Sequence, residues 1–249
     1  NRLASLPPDL FEQWSHLKYV DLSQNRLLHV DRLFLPTNPH KDVMNLLFLF
    51  PQEIYLDHNN LTDLDSVLHP QMYNLDRLYV SHNTFARVTE NSFNGKANST
   101  RYILLDHCFI REFSVRQYIG LPLLVTLDLS YNLIDQVTYQ LGHNQKKNFT
   151  DDHVRKYTNS RIKRLSMVGN RIPFLRSGVF IELTGLQSLQ LQDNRIGHVE
   201  RNIFRFLRSV LEVLDLSGNE IRSLGGCVRF LSVLTTLNLA NNRIEVMMF

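Results

Sequence analysis

The sequence predicts an α/β solenoid whose repeating units line up their strands in one parallel β-sheet, and three observations carry that prediction. The stretch LVTLDLSYNLIDQV, residues 124–137, has the form LxxLxLxxNxIxxV. That frame recurs along the 249 residues at a spacing close to 24. An asparagine stands at the ninth slot of every copy but one, where Cys108 replaces it. A fixed period of this length marks a solenoid, because no single unit can bury its apolar face alone.

In chain order, Asn1 fits slot 9 of a truncated first unit, followed by Leu3 at slot 11, Leu6 at slot 14 and Phe11 at slot 19. Later units start at Leu17, Pro51, Leu75, Thr100, Leu124, Ile162, Leu186, Leu211 and Leu234, with spacings of 34, 24, 25, 24, 38, 24, 25 and 23. Six of the eight spacings lie within one residue of 24, and the two long ones hold insertions near 31–50 and 138–161. Residues 1–249 therefore form a single domain of ten units, the first and last incomplete. Neither end carries a cysteine-rich cap, and a bare solenoid end exposes apolar surface. The stretch is accordingly expected to be a window of a longer array.

The physics of one unit follows from its columns. Slot 4 reads Val20, Ile54, Leu78, Ile103, Leu127, Leu165, Leu189, Leu214 and Leu237, and slot 6 is equally apolar. A short strand over slots 3–8 sends slots 4 and 6 inward and slots 3, 5, 7 and 8 outward. Each inward leucine contributes about 1.5–3 kcal/mol once a neighbouring unit covers it. The slot-9 asparagine is expected to turn inward and bond loop backbone groups, each of which would cost about 1–3 kcal/mol if left orphaned. Cys108, a weak donor, cannot fully repeat that role.

These columns resemble the leucine-rich-repeat superfamily over essentially the whole chain. Phenylalanine at slot 19 (Phe11, Phe93, Phe180, Phe204, with Phe230 one place later) makes the units similar to the "typical" extracellular class, seen in Toll-like receptors and in chaoptin-like and Slit-like proteins. The resemblance implies a right-handed curved solenoid with a concave parallel sheet and a mostly irregular convex side. It also implies that the slot-19 phenylalanines pack inside the convex side. Three N-x-Ser/Thr sequons, at Asn60, Asn98 and Asn148, agree with a secreted or cell-surface glycoprotein, extracellular or luminal.

Composition excludes several alternatives. Hydrophobic residues make up 43% and charged residues 20%, which is too apolar for disorder. A net charge of +3 is too mild to argue by itself for nucleic acid or an anionic membrane. The longest apolar run, residues 44–51, is too short to span a bilayer, so membrane attachment is expected only through segments outside this window. Cys108 and Cys227 lie four units apart, about 19 Å at about 4.8 Å per strand, whereas a disulfide needs alpha carbons within about 7 Å. They are not expected to pair with each other. No Gly-rich phosphate loop, nucleophile elbow or HExxH is present, and the recurrent Ser and Asp of the DLS triplets belong to the repeat. The chain is read as no enzyme, with no cofactor and no metal.

Outward slots supply the candidate binding surface. Slots 3, 5, 7 and 8 of the units from Pro51 to Val137 present Tyr55, Asp57, His58, Arg77, Tyr79, His82, Tyr102, Asp106, His107 and Tyr131. Tyr and Arg are enriched at binding hot spots, and an extended concave sheet is the surface with which solenoids bind. His58, His82 and His107 form a ladder with neighbours about 5 Å apart, too spread for one zinc ion to collect all three, although two with an aspartate would suffice. The second insertion is basic, and its Lys146, Lys147, Arg155 and Lys156 form a second contact candidate.

The function expected from these surfaces is non-covalent recognition of a protein ligand or co-receptor by an extracellular receptor or secreted glycoprotein, with homo- or hetero-dimerisation open. The alternatives are a matrix scaffold assembling through solenoid contacts, and Toll-like recognition of nucleic acid through the basic loop.

Overall fold

The computed structural model describes residues 2–7, 10–11, 14, 16–30, 51–65, 67–68, 72–89, 91–93, 95–118, 120–138 and 160–246. The first insertion and nearly all of the second lie outside them. The chain divides into two compact units, residues 1–110 with 117–124, and residues 111–116 with 125–249.

The first unit carries β1 (Tyr19–Asp21), β2 (Glu53–Tyr55), β3 (Arg77–Tyr79) and β4 (Tyr102–Leu104). They pair in parallel and in slot register, with Val20 opposite Ile54, Ile54 opposite Leu78, and Leu78 opposite Ile103. The second unit carries β5 (Glu112–Phe113), β6 (Thr126–Asp128), β7 (Gln136–Val137), β8 (Arg164–Ser166), β9 (Phe174–Leu175), β10 (Ser188–Gln190), β11 (His198–Val199), β12 (Val213–Asp215) and β13 (Thr236–Asn238). Its slot-4 residues Leu127, Leu165, Leu189, Leu214 and Leu237 face one another in the same parallel register. Two short parallel pairs, β5 with β7 and β9 with β11, form at slots 13 and 14 of adjacent repeats. The solenoid reading holds in each unit: parallel strands stack one per repeat, and almost no helix forms.

The strand is shorter than slots 3–8. Regular strand covers slots 3–5, while inter-repeat bonding continues beyond it, Leu22 N–H donating to Tyr55 O and Gln24 N–H to Asp57 O, both at 2.8 Å. It stops there because the backbone turns left-handed. All nine slot-8 residues, Gln24, His58, His82, His107, Tyr131, Gly169, Asp193, Gly218 and Asn241, have φ between 52° and 63°.

Inside each unit the apolar columns at slots 4 and 6 are buried, apart from exposed Leu237 and half-buried Leu22 and Leu239, and the slot-9 asparagines form a ladder beside them. The Asn83 amide donates to Leu56 O and Val80 O, both at 2.9 Å, and its Oδ1 accepts Leu61 N–H at 2.9 Å. Asn194 repeats the pattern in the second unit, donating to Met167 O and Leu191 O and accepting Ile172 N–H at 3.1 Å. Cys108 keeps only weak thiol contacts, to Val80 O at 3.7 Å and Asp106 O at 3.5 Å.

Phe11, Phe93, Phe180 and Phe204 are buried, and the Phe180 and Phe204 rings lie 6.4 Å apart. Tyr118 fills slot 19 of the Thr100 repeat, buried with its ring 5.5 Å from Phe93. Phe230, one place out of register, is 62% exposed. Both cysteines are buried free thiols, and burial pushes each up to about 12. Among the described residues no helix is long and apolar enough to cross a membrane.

Candidate binding face of the first unit

The outward side chains of β2, β3 and β4 meet in pairs. Strand register puts slot 5 of one repeat beside slot 5 of the next, so the Tyr55 and Tyr79 rings stack at 4.4 Å with their planes 3° apart. The Tyr55 hydroxyl donates to Glu53 Oε2 at 2.7 Å, and this bond holds the phenol well above its usual range. At slot 3, the Arg77 guanidinium lies 4.8 Å from the Tyr102 ring centre, within cation–π reach. Arg101 clamps Asp76 through Nε at 2.5 Å and a terminal nitrogen at 2.8 Å. Aromatic rings fixed by such neighbours lose little conformational freedom when a ligand covers them.

The slot-8 histidines form a second row. The left-handed turn brings His58 and His82 to 4.0 Å between ring centres and His82 and His107 to 4.2 Å, with planes 12° and 13° apart. The rings stack face to face, closer than the strand spacing of about 4.8 Å. Burial, followed by the neighbouring imidazoles of His58 and His107, holds the His82 imidazole below its ordinary range, with Asp106 opposing. The neutral ring is thus favoured.

Between the rows lie the slot-7 side chains. Asp57 Oδ1 accepts the Ser81 N–H at 2.8 Å, and burial raises the Asp57 carboxyl above its ordinary value. Elsewhere the slot-5 aspartate caps the slot-7 amide of its own repeat, as Asp21 does for Ser23 and Asp215 for Ser217, both at 2.9 Å. Tyr79 occupies slot 5 in the Ser81 repeat, so the cap comes from the preceding repeat instead. The DLS triplets are therefore turn caps.

Ser81 Oγ donates to Asp106 Oδ1, while Asp106 Oδ2 lies 2.8 Å from His107 Nδ1. Serine, aspartate and histidine meet here, but the carboxylate stands between the other two. The hydroxyl has no imidazole to take its proton, so the trio lacks the order that acyl transfer needs. An open groove of about 350 Å3 runs over this region, lined by Ser23, Gln24, Asp57, His58, Tyr79, Ser81, His82 and Leu104.

The structure thus assembles Tyr55, Asp57, His58, Arg77, Tyr79, His82, Tyr102, Asp106 and His107 on one face of the first unit. Tyr131 belongs to the second unit, 51% exposed, with its ring over Gly169. Asn60 and Asn98 are exposed. Lys146, Lys147, Arg155, Lys156 and Asn148 lie outside the described residues. Sequence reasoning missed Glu53 and Ser81, whose roles depend on which neighbour the turn brings close, and it missed the left-handed slot itself.

Residues 184–244 match the family model described as Leucine rich repeat. Osteomodulin of Bos taurus is 27% identical over 251 residues, covering 98% of this chain and 50% of that protein. A leucine-rich-repeat protein of Leptospira interrogans superposes on the whole chain and on 55% of its own, with a TM-score of 0.71 and 25% identity. The fold also matches the Toll–Spatzle complex of Drosophila, with a TM-score of 0.67 and 16% identity over 98% of this chain and 32% of that one. The chain spans about half the length of the curated relatives it matches. The chain is thus similar to leucine-rich-repeat proteins of the extracellular space, osteomodulin and lumican among them.

Proposed function

We propose that this chain is a protein-recognition module, acting non-covalently through the outward face of β2, β3 and β4. The observation that carries the reading is the prearranged aromatic and cationic cluster, in which Tyr55 stacks on Tyr79 and Arg77 covers Tyr102. Tyr and Arg held in one geometry are the residue types and the state that interface hot spots favour. The groove beside them, edged by Asp57 and His82, offers polar groups that fix a partner's register. Exposed Asn60 and Asn98 carry N-linked glycans in this reading, outside the aromatic cluster.

The test is recovery of the native partner by the full-length protein from its source tissue. Tyr79→Ala and Tyr102→Ala each lower recovery about tenfold or more, the loss of one hot-spot side chain. Gln190→Ala, on the outward face of the second unit, leaves it unchanged. Equal recovery by all variants overturns the assignment of this face.

Matrix scaffolding is a second reading, favoured by the similarity to osteomodulin along 98% of the chain. It predicts self-association that the same two substitutions leave intact. The nucleic-acid reading depends on Lys146, Lys147, Arg155 and Lys156, and binding that ignores salt concentration would end it.

A further inference from the structure

We propose that His107, Asp106 and His82 form a binding site for a divalent transition-metal cation of the zinc or copper kind. One ligand atom from each residue can be chosen so that all three lie within 4.8 Å of one another. The core of the site is already close. His107 Nδ1 and Asp106 Oδ2 are 2.8 Å apart, sharing a proton, and a cation with bonds of about 2.0–2.2 Å to each can bridge the two from beside the line on which that proton lies. Its entry displaces that proton to Nε2 of the same ring, by way of solvent, so that the neutral imidazole and the carboxylate are the ligands.

His82 supplies the third bond. Its ring stacks 4.2 Å from that of His107, and its donor nitrogen lies within 4.8 Å of the other two donors, wider than the ~3.3 Å at which bonds of about 2.0–2.1 Å meet tetrahedrally on one ion. Stacked rings direct their in-plane lone pairs side by side, so His82 must rotate about its side-chain torsions for the pairs to converge. The groove lies open beside it and leaves room for that rotation and for water to complete the shell. Ser81 holds the other oxygen of Asp106, which fixes the carboxylate's direction in the way that outer-shell partners orient metal ligands.

The donor set selects the metal class. Two imidazoles and one carboxylate suit zinc, copper or nickel, whereas calcium takes six to eight oxygens and magnesium retains most of its water. His58 stacks on the far side of His82, 4.0 Å away, and is a neighbour of the site and not a ligand. The cause of the whole arrangement is the left-handed backbone at φ 53° and 52° for His82 and His107, which draws their rings together.

Zinc chloride titrated into the metal-stripped full-length protein, followed by calorimetry, tests the site with no partner present. It can therefore fail while the recognition face stands, and the reverse. Variants use asparagine, which tolerates a left-handed backbone. Wild type binds one zinc at this site; His82→Asn, His107→Asn and Asp106→Asn each weaken it about tenfold or more. His58→Asn stays within about twofold. Copper-loaded wild type shows two imidazole nitrogens by electron paramagnetic resonance, and each histidine variant shows one fewer. Absence of saturable binding overturns the proposal, as does a loss in His58→Asn equal to that in the three ligand variants. Circular dichroism confirms that each variant is folded.

Discussion

A left-handed backbone at slot 8 sets what each residue there contributes. For a residue with a Cβ that conformation costs about 1–2 kcal/mol, and asparagine, aspartate and glycine bear it best. Histidine, tyrosine and glutamine hold it at His58, His82, His107, Tyr131 and Gln24, where the inter-repeat bonds on either side leave the chain no other course. Glycine at slot 8 has a second reason at Gly169, where an added Cβ would stand 2.5 Å from Cδ1 of Tyr131. Gly95 has a similar φ of +69° but nothing within 4 Å of an added Cβ. Gly95→Ala is therefore expected to lose about 1 kcal/mol, from backbone strain alone. Gly169→Ala is expected to lose about 2 kcal/mol or more, because the Tyr131 ring must also shift. Urea unfolding of the two variants measures the difference, and equal losses would show that the ring contact carries no cost.

At the scale of the repeat, the asparagine ladder ranks with the leucine columns. The amides of Asn59, Asn83, Asn170, Asn194, Asn219 and Asn242 each bond carbonyls of two successive repeats and accept one loop N–H, so removing one orphans several buried groups together. Asn194→Ala is expected to cost about 2–4 kcal/mol, the sum of more than one unpaired backbone group at about 1–3 kcal/mol each. Asn194→Leu is expected to fare no better, since apolar area does not replace those bonds. Cys108 provides the converse. Its thiol makes only long contacts at 3.5 and 3.7 Å, where other repeats have an amide. Cys108→Asn supplies a carbonyl oxygen at the ladder position that meets the slot-11 N–H in neighbouring repeats, and is expected to stabilise by about 1 kcal/mol. The shift in denaturant midpoint decides both cases, and a destabilised Cys108→Asn would mean that the thiol's volume matters more than the ladder.

For the whole molecule, the fold was legible because burial selects residue identity. Leucine, isoleucine and valine recur at slots 4 and 6, and asparagine at slot 9, so spacing alone revealed the stack. Tyr118 hid the aromatic position of its own repeat, being a tyrosine where a phenylalanine was sought. The candidate face was half legible: outward parity placed Tyr55, Tyr79 and His82, but stacking depends on φ, which has no letter of its own. The glycines at 169 and 218, with Asp193 and Asn241, were the signal that slot 8 turns left-handed. The same turn chemistry sets how stability depends on pH. Ser23 holds the Asp21 carboxyl below its ordinary 3.8, and the Ser177 N–H, 2.7 Å from Oε2, holds Glu200 below 4.5. A carboxyl with a depressed folded pKa stabilises above its unfolded value, and that stability is lost as pH falls through the folded one. Asp57 has the opposite sign, since burial raises it and acid lifts the cost of its charge. Stability is therefore expected to fall as pH drops below about 4.5, less steeply than Asp21 and Glu200 alone would dictate. Glu200→Gln should flatten that fall, whereas Asp57→Asn should steepen it and raise stability at pH 7. Urea midpoints at pH 7, 5 and 3 separate the two, and parallel curves for both variants would refute the assigned signs.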